Sequence, residues 1–396
     1  MQISKVIPIF KTADRQKKEN YRPIALLSNF SKILEKIVHS QILQFLEKNE
    51  KLNCCQFGFL PNKSTKSAII QFLEKLVTAL DAGNKAMSCF LDLSKAFDLV
   101  DKEILLNKLK LLGIEGKCLA WFHSYMSNRK QFVEIKPSNM NNESVKSNLH
   151  EIRRGVPQGS ILGPILFVIY LNDITNTIPQ ENLTIYADDT TILNYAVTNE
   201  NLEINMFTLL NSTTQYFNNI GLHINENKTE YIYFKTNNRF KEIRNQPNLF
   251  LDDSLIREVT YTKFLGVIID DCLNWNEHTS KLASQLSTSL YIIRNISKLG
   301  CKKLSIQCYY SYFYSHVIYS IVLWGSSSAK NLQKIFLLQK RALRYIENKR
   351  KNHSCKEIFK NNCILTIPSL YIYECISYII YNDLIPENKH NYNIRS

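Results

Sequence analysis

Three aspartates in this chain are of the type and spacing that could share metal ions. Asp188 and Asp189 stand side by side in IYADDTTIL (185–193), between two short apolar and β-branched runs, and Asp92 ends the run KAMSCFLD (85–92). Taken alone, adjacent aspartates are also what the polar tip of a hairpin calls for, since Asp is a favoured turn residue. Carboxylates gathered within a few ångströms repel one another by kilocalories even at intermediate dielectric, so such a cluster requires cations. Magnesium suits it, because hard oxygen ligands hold the ion while waters and substrate phosphates fill its other positions. Two such ions roughly 3.5–4 Å apart can activate a 3′-hydroxyl and stabilise a leaving pyrophosphate in an in-line displacement. That is the chemistry of joining nucleotides.

For this to happen, secondary structure must bring the three residues to one place. Residues 86–93 read as a buried strand, which puts Asp92 near its end at an open sheet edge. Asp101 then caps a helix in which Ile104, Leu105, Leu109 and Leu112 share one face and which stops at Gly113. GVPQGSILGPILFVIYLNDI (155–174) carries two glycines around Pro157-Gln158 and, from near Ser160, a strongly apolar helix with Pro164 in its first turns. The IYADDTTIL hairpin follows, with Asp188-Asp189 expected at its tip. LHINENKTEYIYF (222–234) reads as a polar turn entering a strand, YTKFLGVIID (261–270) as a strand pair, and beyond residue 275 the pattern is helical. The polar KPSNMNNESVKSNLHEIRRG (136–155) is the one long loop.

The bulk composition, 396 residues of which 45% are hydrophobic and 21% charged, is that of a folded chain large enough for two or three cores. A formal charge of +14 points to a polyanionic partner. A membrane is disfavoured as that partner, because ILFVIYL (165–171) and IYSIVLW (318–324) fall far short of the roughly 20 residues a bilayer needs. MQISKVIPIFK does not read as a signal peptide. The ten cysteines show no regular spacing and read mostly as buried thiols rather than disulfides, and His353, Cys355 and Cys363 match no standard zinc pattern. Between Lys281 and Arg350 twelve basic residues face Glu347 alone, with Tyr291, Tyr309, Tyr310, Tyr312, Phe313, Tyr314, Trp324 and Tyr345 interleaved. Such density favours contact with a nucleic-acid backbone over a merely solvated face.

Taken in order, FLDLSKAFD, GVPQGSILGP, YADD, KTEYIYF and FLGVIID resemble the palm motifs of reverse transcriptases, specifically those of non-LTR retrotransposons of the jockey type. Upstream, VIPIFKTADRQKKENYRPIALLSNFSKILEKIV and QFGFLPNKST are similar to that group's fingers segments; WGSSS, KIFLLQKRALRYI and ILTIPSLYIYE are similar to its thumb and tail. The resemblance implies an α+β right-hand polymerase fold. Fingers and palm, an antiparallel sheet packed by helices, would occupy 1–270, a basic helical thumb 271–346, and a C-terminal helical tail 347–396.

It also implies roles, residue by residue. Asp92, the backbone carbonyl of Leu93, and Asp188 are the expected principal ligands of two Mg2+ ions, with Mn2+ as a substitute, and Asp189 supports the same cluster. Phe97 resembles the steric gate that rejects a ribonucleotide 2′-hydroxyl, though an aromatic at a helix start also packs ordinarily. Gln158, with Gly159 beside it, resembles the residue that lies against the incoming nucleotide and template base. Lys11 and Arg22 look like the cations that hold the triphosphate, although KTADRQKKENYR could equally be a solvated turn. Lys228 resembles the lysine that protonates pyrophosphate, and Asp98 reads as structural. Lys334, Lys340, Arg341 and Arg344 are expected on the nucleic-acid backbone. The implied activity is RNA-directed DNA synthesis for a mobile element, from an RNA template, a DNA primer and deoxynucleoside triphosphates, intracellularly and at chromosomal DNA in the nucleus. Relatives carry an endonuclease ahead of the polymerase, so an N-terminally truncated copy relying on a separate endonuclease is expected. The alternatives are an inactive RNA-binding remnant, or an RNA-directed RNA polymerase, against which Phe97 argues.

Overall fold

The computed structural model describes residues 3–11, 14–135, 144–235, 249–251, 254–382 and 384; the first part of the predicted long loop, 136–143, lies outside them. The chain divides into two compact units between Val259 and Thr260.

In the first unit, β1 (Ile3–Phe10) and β2 (Tyr21–Leu26) form an antiparallel hairpin. Helices α1 (Asn29–Lys48) and α2 (Thr65–Asp81) follow, started by Ser28 and Ser64, whose hydroxyls accept the otherwise orphaned N–H groups of Ser31 and Ser67. Then come β3 (Lys85–Leu91), the single-turn α3 (Ala96–Leu99), α4 (Lys102–Leu111), α5 (Gly116–Met126), β4 (Lys130–Ile135), and the two-residue β5 (Val145–Lys146) and β6 (His150–Glu151). Helix α6 (Leu162–Tyr170), the hairpin of β7 (Leu183–Tyr186) and β8 (Asp189–Ala196), and α7 (Asn199–Asn219) precede β9 (Glu230–Phe234) and the short β10 (Phe250–Leu251), β11 (Ser254–Leu255) and β12 (Arg257–Glu258).

The central sheet runs β12-β9-β3-β8-β7, antiparallel except for the β9/β12 pair. Its middle strand alternates between two buried faces. Met87, Cys89 and Leu91 join one core with Ile165, Leu166 and Phe167 of α6 and Leu210 and Phe217 of α7. On the other side, Phe90 meets Phe72 of α2, which also meets Phe234. Helix α6 is buried along almost its whole length, so its apolar sequence has no solvent face to alternate with. Asp101 caps α4 as its position predicts, accepting the N–H groups of Glu103 and Ile104 at 3.0 and 3.2 Å. A second sheet joins β2, β1 and β4, the last two parallel, with β5 and β6 on β4.

The second unit starts with the predicted strand pair, β13 (Tyr261–Phe264) and β14 (Val267–Asp270). It continues through α8 (Asn276–Ser297), α9 (Lys302–Cys308), a π-helical stretch at Tyr309–Tyr314, α10 (Ser315–Ile318), α11 (Ile321–Trp324), α12 (Ala329–Ile346), α13 (Lys356–Asn361) and α14 (Ile367–Tyr381).

The contact division places the 261–270 hairpin with the helices that follow it. Asp270, which is buried, ties the hairpin to the helices by accepting the N–H groups of Cys272, Asn274 and Trp275 at 3.2, 2.9 and 2.8 Å. Within the segment expected as a C-terminal tail, α14 packs on α11 and α12. Several aromatics expected between the charges are core: Tyr309, Phe313 and Trp324 are at most 1% exposed, whereas Tyr291, Tyr310 and Tyr312 are open. All ten thiols are free, but only Cys55, Cys89, Cys308 and Cys355 are buried. No described helix is long and apolar enough to cross a membrane.

Candidate active site

Tyr186 pairs with Asp189 across the β7/β8 ladder, so the reversal between them consists of Ala187 and Asp188 alone. The sequence placed both aspartates at the hairpin tip; the fold separates them, Asp188 in the turn and Asp189 at the first position of a strand. A two-residue turn needs left-handed backbone, and here Ala187 supplies it at φ +58°, an uncommon state for a residue with a side chain.

The segment 55–58 holds that turn. It runs beside β7, with Ile185 N–H donating to Cys55 O at 2.9 Å and Phe57 N–H donating to Ile185 O at 2.8 Å. Gln56 is buried, and its Oε1 accepts from Ala187 N–H at 2.9 Å and from Gly58 N–H at 2.7 Å. A β-carbon on Gly58 would stand 2.3 Å from the Ala187 nitrogen, so only glycine permits this approach.

The third carboxylate arrives along β3. Leu91 and Thr190 are the last pair of the β3/β8 register, and one step further sets Asp92 opposite Asp189. The proximity is visible in the electrostatics. Burial, then the charge of Asp92, push Asp188 above the usual carboxylate range, against its own backbone hydrogen bond and the Arg22 and Lys11 charges. Asp189 rises further, to about 6, through the protein packed around it, then Asp188, then Asp92, although its side chain also reaches solvent. Lys11, which closes the β1/β2 hairpin through its N–H to Asn20 O at 2.9 Å, and Arg22 of β2 are thus near enough to act on Asp188. Lys228 Nζ lies 3.1 Å from Asp92 Oδ2. Leu93 forms an isolated antiparallel bridge with Ile224, in which Ser94 N–H and Asn225 N–H donate to His223 O and Asp92 O. Among the described residues no three His, Cys, Asp or Glu side chains converge closely enough to hold a metal ion as they stand. The donor chemistry nevertheless fits a hard cation: oxygen ligands only, mutually repelling, with one already paired to an ammonium group.

Beside the carboxylates, Phe97 is stacked on Phe167 at 4.5 Å and meets Phe59 edge-on at 6.2 Å, so the ring is held from two sides. The 155–159 loop is pinned across α3: Gly155 N–H donates to Val100 O at 2.7 Å and Val156 N–H to Phe97 O at 2.9 Å. Gln158 Nε2 donates to Asp98 Oδ1 at 2.9 Å, and burial raises that carboxyl despite the bond. Asp98 is therefore structural in a specific sense: it orients Gln158. On the far side of the loop, Ala25 N–H donates to Gln158 O at 2.7 Å, and a β-carbon on Gly159, at φ +117°, would meet Ala25 O at 2.4 Å. Buried Glu35 accepts Ile161 N–H at 2.7 Å, anchoring the entry to α6.

The first unit thus gathers Asp92, Asp188, Asp189, Lys11, Arg22 and Lys228 into one electrostatic neighbourhood and hangs Phe97, Gln158 and Gly159 on one frame. Lys334, Lys340, Arg341 and Arg344 belong to α12 of the second unit. Gln56, Gly58, Asp98 and Glu35 were missed as positioning residues. Only the glycine in QFGF carried a signal, since a glycine inside an apolar run marks close backbone approach.

An antiparallel sheet flanked by helices, with carboxylates at the end of its middle strand and on the neighbouring hairpin, is the architecture of a polymerase palm. The chain belongs to the reverse transcriptase (RNA-dependent DNA polymerase) family, whose pattern it matches over residues 11–269. It is 28% identical over 341 residues to the RNA-directed DNA polymerase from mobile element jockey of Drosophila melanogaster, covering 83% of this chain and 36% of that protein. The jockey counterpart of Drosophila funebris is also 28% identical, with 83% and 36% covered. The probable RNA-directed DNA polymerase from transposon X-element of Drosophila melanogaster is 25% identical, with 83% and 35% covered. The chain therefore spans little more than a third of the length of these relatives. Members of this family work with divalent metal ions.

Proposed function

We propose that this chain is an RNA-directed DNA polymerase of a mobile element, extending a DNA 3′-hydroxyl on an RNA template. The observation that carries this reading is the register that sets Asp92 opposite Asp189 beside the Asp188 turn, with the charges of Lys11 and Arg22 reaching the same carboxylate. Asp92, Asp188 and the Leu93 carbonyl would hold two magnesium ions, for which manganese could substitute, with Asp189 supporting them. When bound, such ions activate the attacking hydroxyl and neutralise the leaving pyrophosphate. Arg22 offers a paired hydrogen-bond fork to the triphosphate, and Lys11 a point charge. Gln158, held by Asp98, lies against the nucleotide, and Gly159 lets backbone approach it. Phe97, wedged between Phe59 and Phe167, occupies the space that a 2′-hydroxyl would need. Lys228, whose ammonium now lies against Asp92, would be the group placed to protonate pyrophosphate. Action at nuclear DNA, with an endonuclease supplying the nick, extends the same reading.

The test is primer extension by purified protein on a primed RNA template with deoxynucleotides and magnesium. Asp188→Asn should reduce extension to background, and the Asp188→Asn/Asp189→Asn double variant should match it. Equal extension by the double variant would overturn the assignment. A second reading, a non-catalytic RNA-binding remnant, draws on the basic segment 281–350; it predicts salt-sensitive RNA binding with no extension by the parent chain.

A further inference from the structure

In the second unit, the C-terminal half of α12, α13 and the 352–355 connection enclose a cavity of about 430 Å³. Phe336, Lys340 and Arg344, four residues apart, form one stripe of α12 along it, and Lys356, Phe359 and Lys360 line it from α13. Four cations and two rings thus share one concavity whose lining includes no carboxylate. Among the described residues none of the four cations is ion-paired, and Lys340 and Arg344 are only half exposed. Gathering like charges this way is unfavourable until an anion enters. Arg344 is already oriented, its Nε donating to His353 O at 2.9 Å, and Lys340 Nζ rests 4.2 Å above the Phe336 ring.

We propose that this pocket binds one unpaired nucleotide of a single-stranded nucleic acid, its phosphate taken by Lys340, Arg344, Lys356 and Lys360 and its base laid on Phe336. Naming the polyanion as nucleic acid rests on the polymerase reading above. The Phe336 and Phe359 centroids are 6.0 Å apart, less than two van der Waals separations of about 3.5 Å, so no base can enter between the rings. The base instead takes the face of Phe336 that Lys340 now covers, and the ammonium moves from ring to phosphate. Aromatic stacking beside a cationic groove is how single strands are held without reading their sequence. A duplex keeps its bases stacked inside and cannot use the ring, and a flat anionic bilayer cannot fill the concavity.

The experiment measures binding of the full chain by fluorescence anisotropy across a salt series. The probes are a short single-stranded RNA, a DNA of the same sequence, an RNA carrying abasic positions, and a blunt duplex. The Lys356→Glu/Lys360→Glu variant changes two exposed side chains; it should weaken both single strands by about tenfold and flatten the salt slope by roughly 0.7 for each phosphate no longer neutralised. Phe336→Leu should weaken the base-bearing strands by about tenfold and leave the abasic strand unchanged. Primer extension by the same parent protein is measured alongside: pocket-dependent binding without extension would overturn the polymerase reading alone, and extension with unaltered binding by the pocket variants would overturn the pocket alone. Unchanged affinity and slope in the charge variant would overturn the proposal. So would an equal loss on the abasic strand or on the duplex in Phe336→Leu, or displacement by anionic vesicles but not by unlabelled oligonucleotide.

Discussion

Asp188 and Asp189 are neighbours in sequence with different surroundings. Asp188, in the turn, feels Arg22 and Lys11 as well as Asp92; Asp189, opening a strand, is lifted from the ordinary 3.8 to about 6 by burial first and then by the charges of Asp188 and Asp92, with no cation opposing them. A carboxyl raised in the folded state binds its proton more tightly than in the unfolded chain. Between the ordinary value and about 6, stability therefore falls as pH rises, and the penalty is complete above about 6. In metal-free protein, Asp189→Asn should accordingly raise the melting temperature at pH 8 and leave it unchanged below pH 3.5. Magnesium should raise the parent's melting temperature more at pH 8 than at pH 5, because protons compete with the ion for the same oxygens. Phe97 is the other residue whose surroundings bear on its proposed role. With Phe59 and Phe167 fixing the ring, Phe97→Ala should admit ribonucleotides that the parent rejects, measured as the ratio of ribo- to deoxynucleotide incorporation. A parent that already uses both equally would remove the sugar-selection argument.

The elements that position these residues are joined by bonds between positions remote in sequence. The 55–58 segment acts as an extra strand beside β7, and Gln56 bridges 131 positions to satisfy Ala187. Gln56→Leu would strand two buried N–H donors, a cost of about 1–3 kcal/mol each. If its role is to hold the turn, thermal unfolding should show that loss while steady-state kinetics show a fall in kcat with little change in KM for the nucleotide. Gly58→Ala forces a β-carbon onto the Ala187 nitrogen and should behave in the same way, more severely. A KM effect without a kcat effect would instead place this strand on the nucleotide's path.

At the scale of the molecule, charge is the dominant feature. The chain carries +14, and the segment from Lys281 to Arg350 contributes most of it with twelve basic residues and one acid. Binding of a primed RNA template should therefore weaken linearly on a log–log plot against salt. Removing the exposed Arg341 charge, on α12 outside the cavity lining, should lower that slope by about 1 and weaken all template sequences alike. A sequence-selective loss would mean that Arg341 reads bases rather than phosphates.

The sequence by itself determined the family and pointed to the candidate carboxylates. Strand and helix periodicity report burial, so β3, α4, α6, the β7/β8 hairpin and the helical second unit were legible, and the ordered motifs named the family. Periodicity does not report which turn position a residue takes, nor what its distant partner is. Only the tertiary structure put Asp188 in the turn and Asp189 in the strand, because strand register, set by side chains packed on both faces of the sheet, fixes the reversal to two residues. Only it paired Gln56 with Ala187 and Gln158 with Asp98, since a hydrogen bond between remote polar groups leaves no pattern along the chain. It also moved the 261–270 hairpin into the second unit through the backbone N–H groups that Asp270 satisfies, and buried Tyr309, Phe313 and Trp324 among helices. An aromatic between charges looks the same in sequence whether it faces a nucleic acid or a core, and packing alone decides.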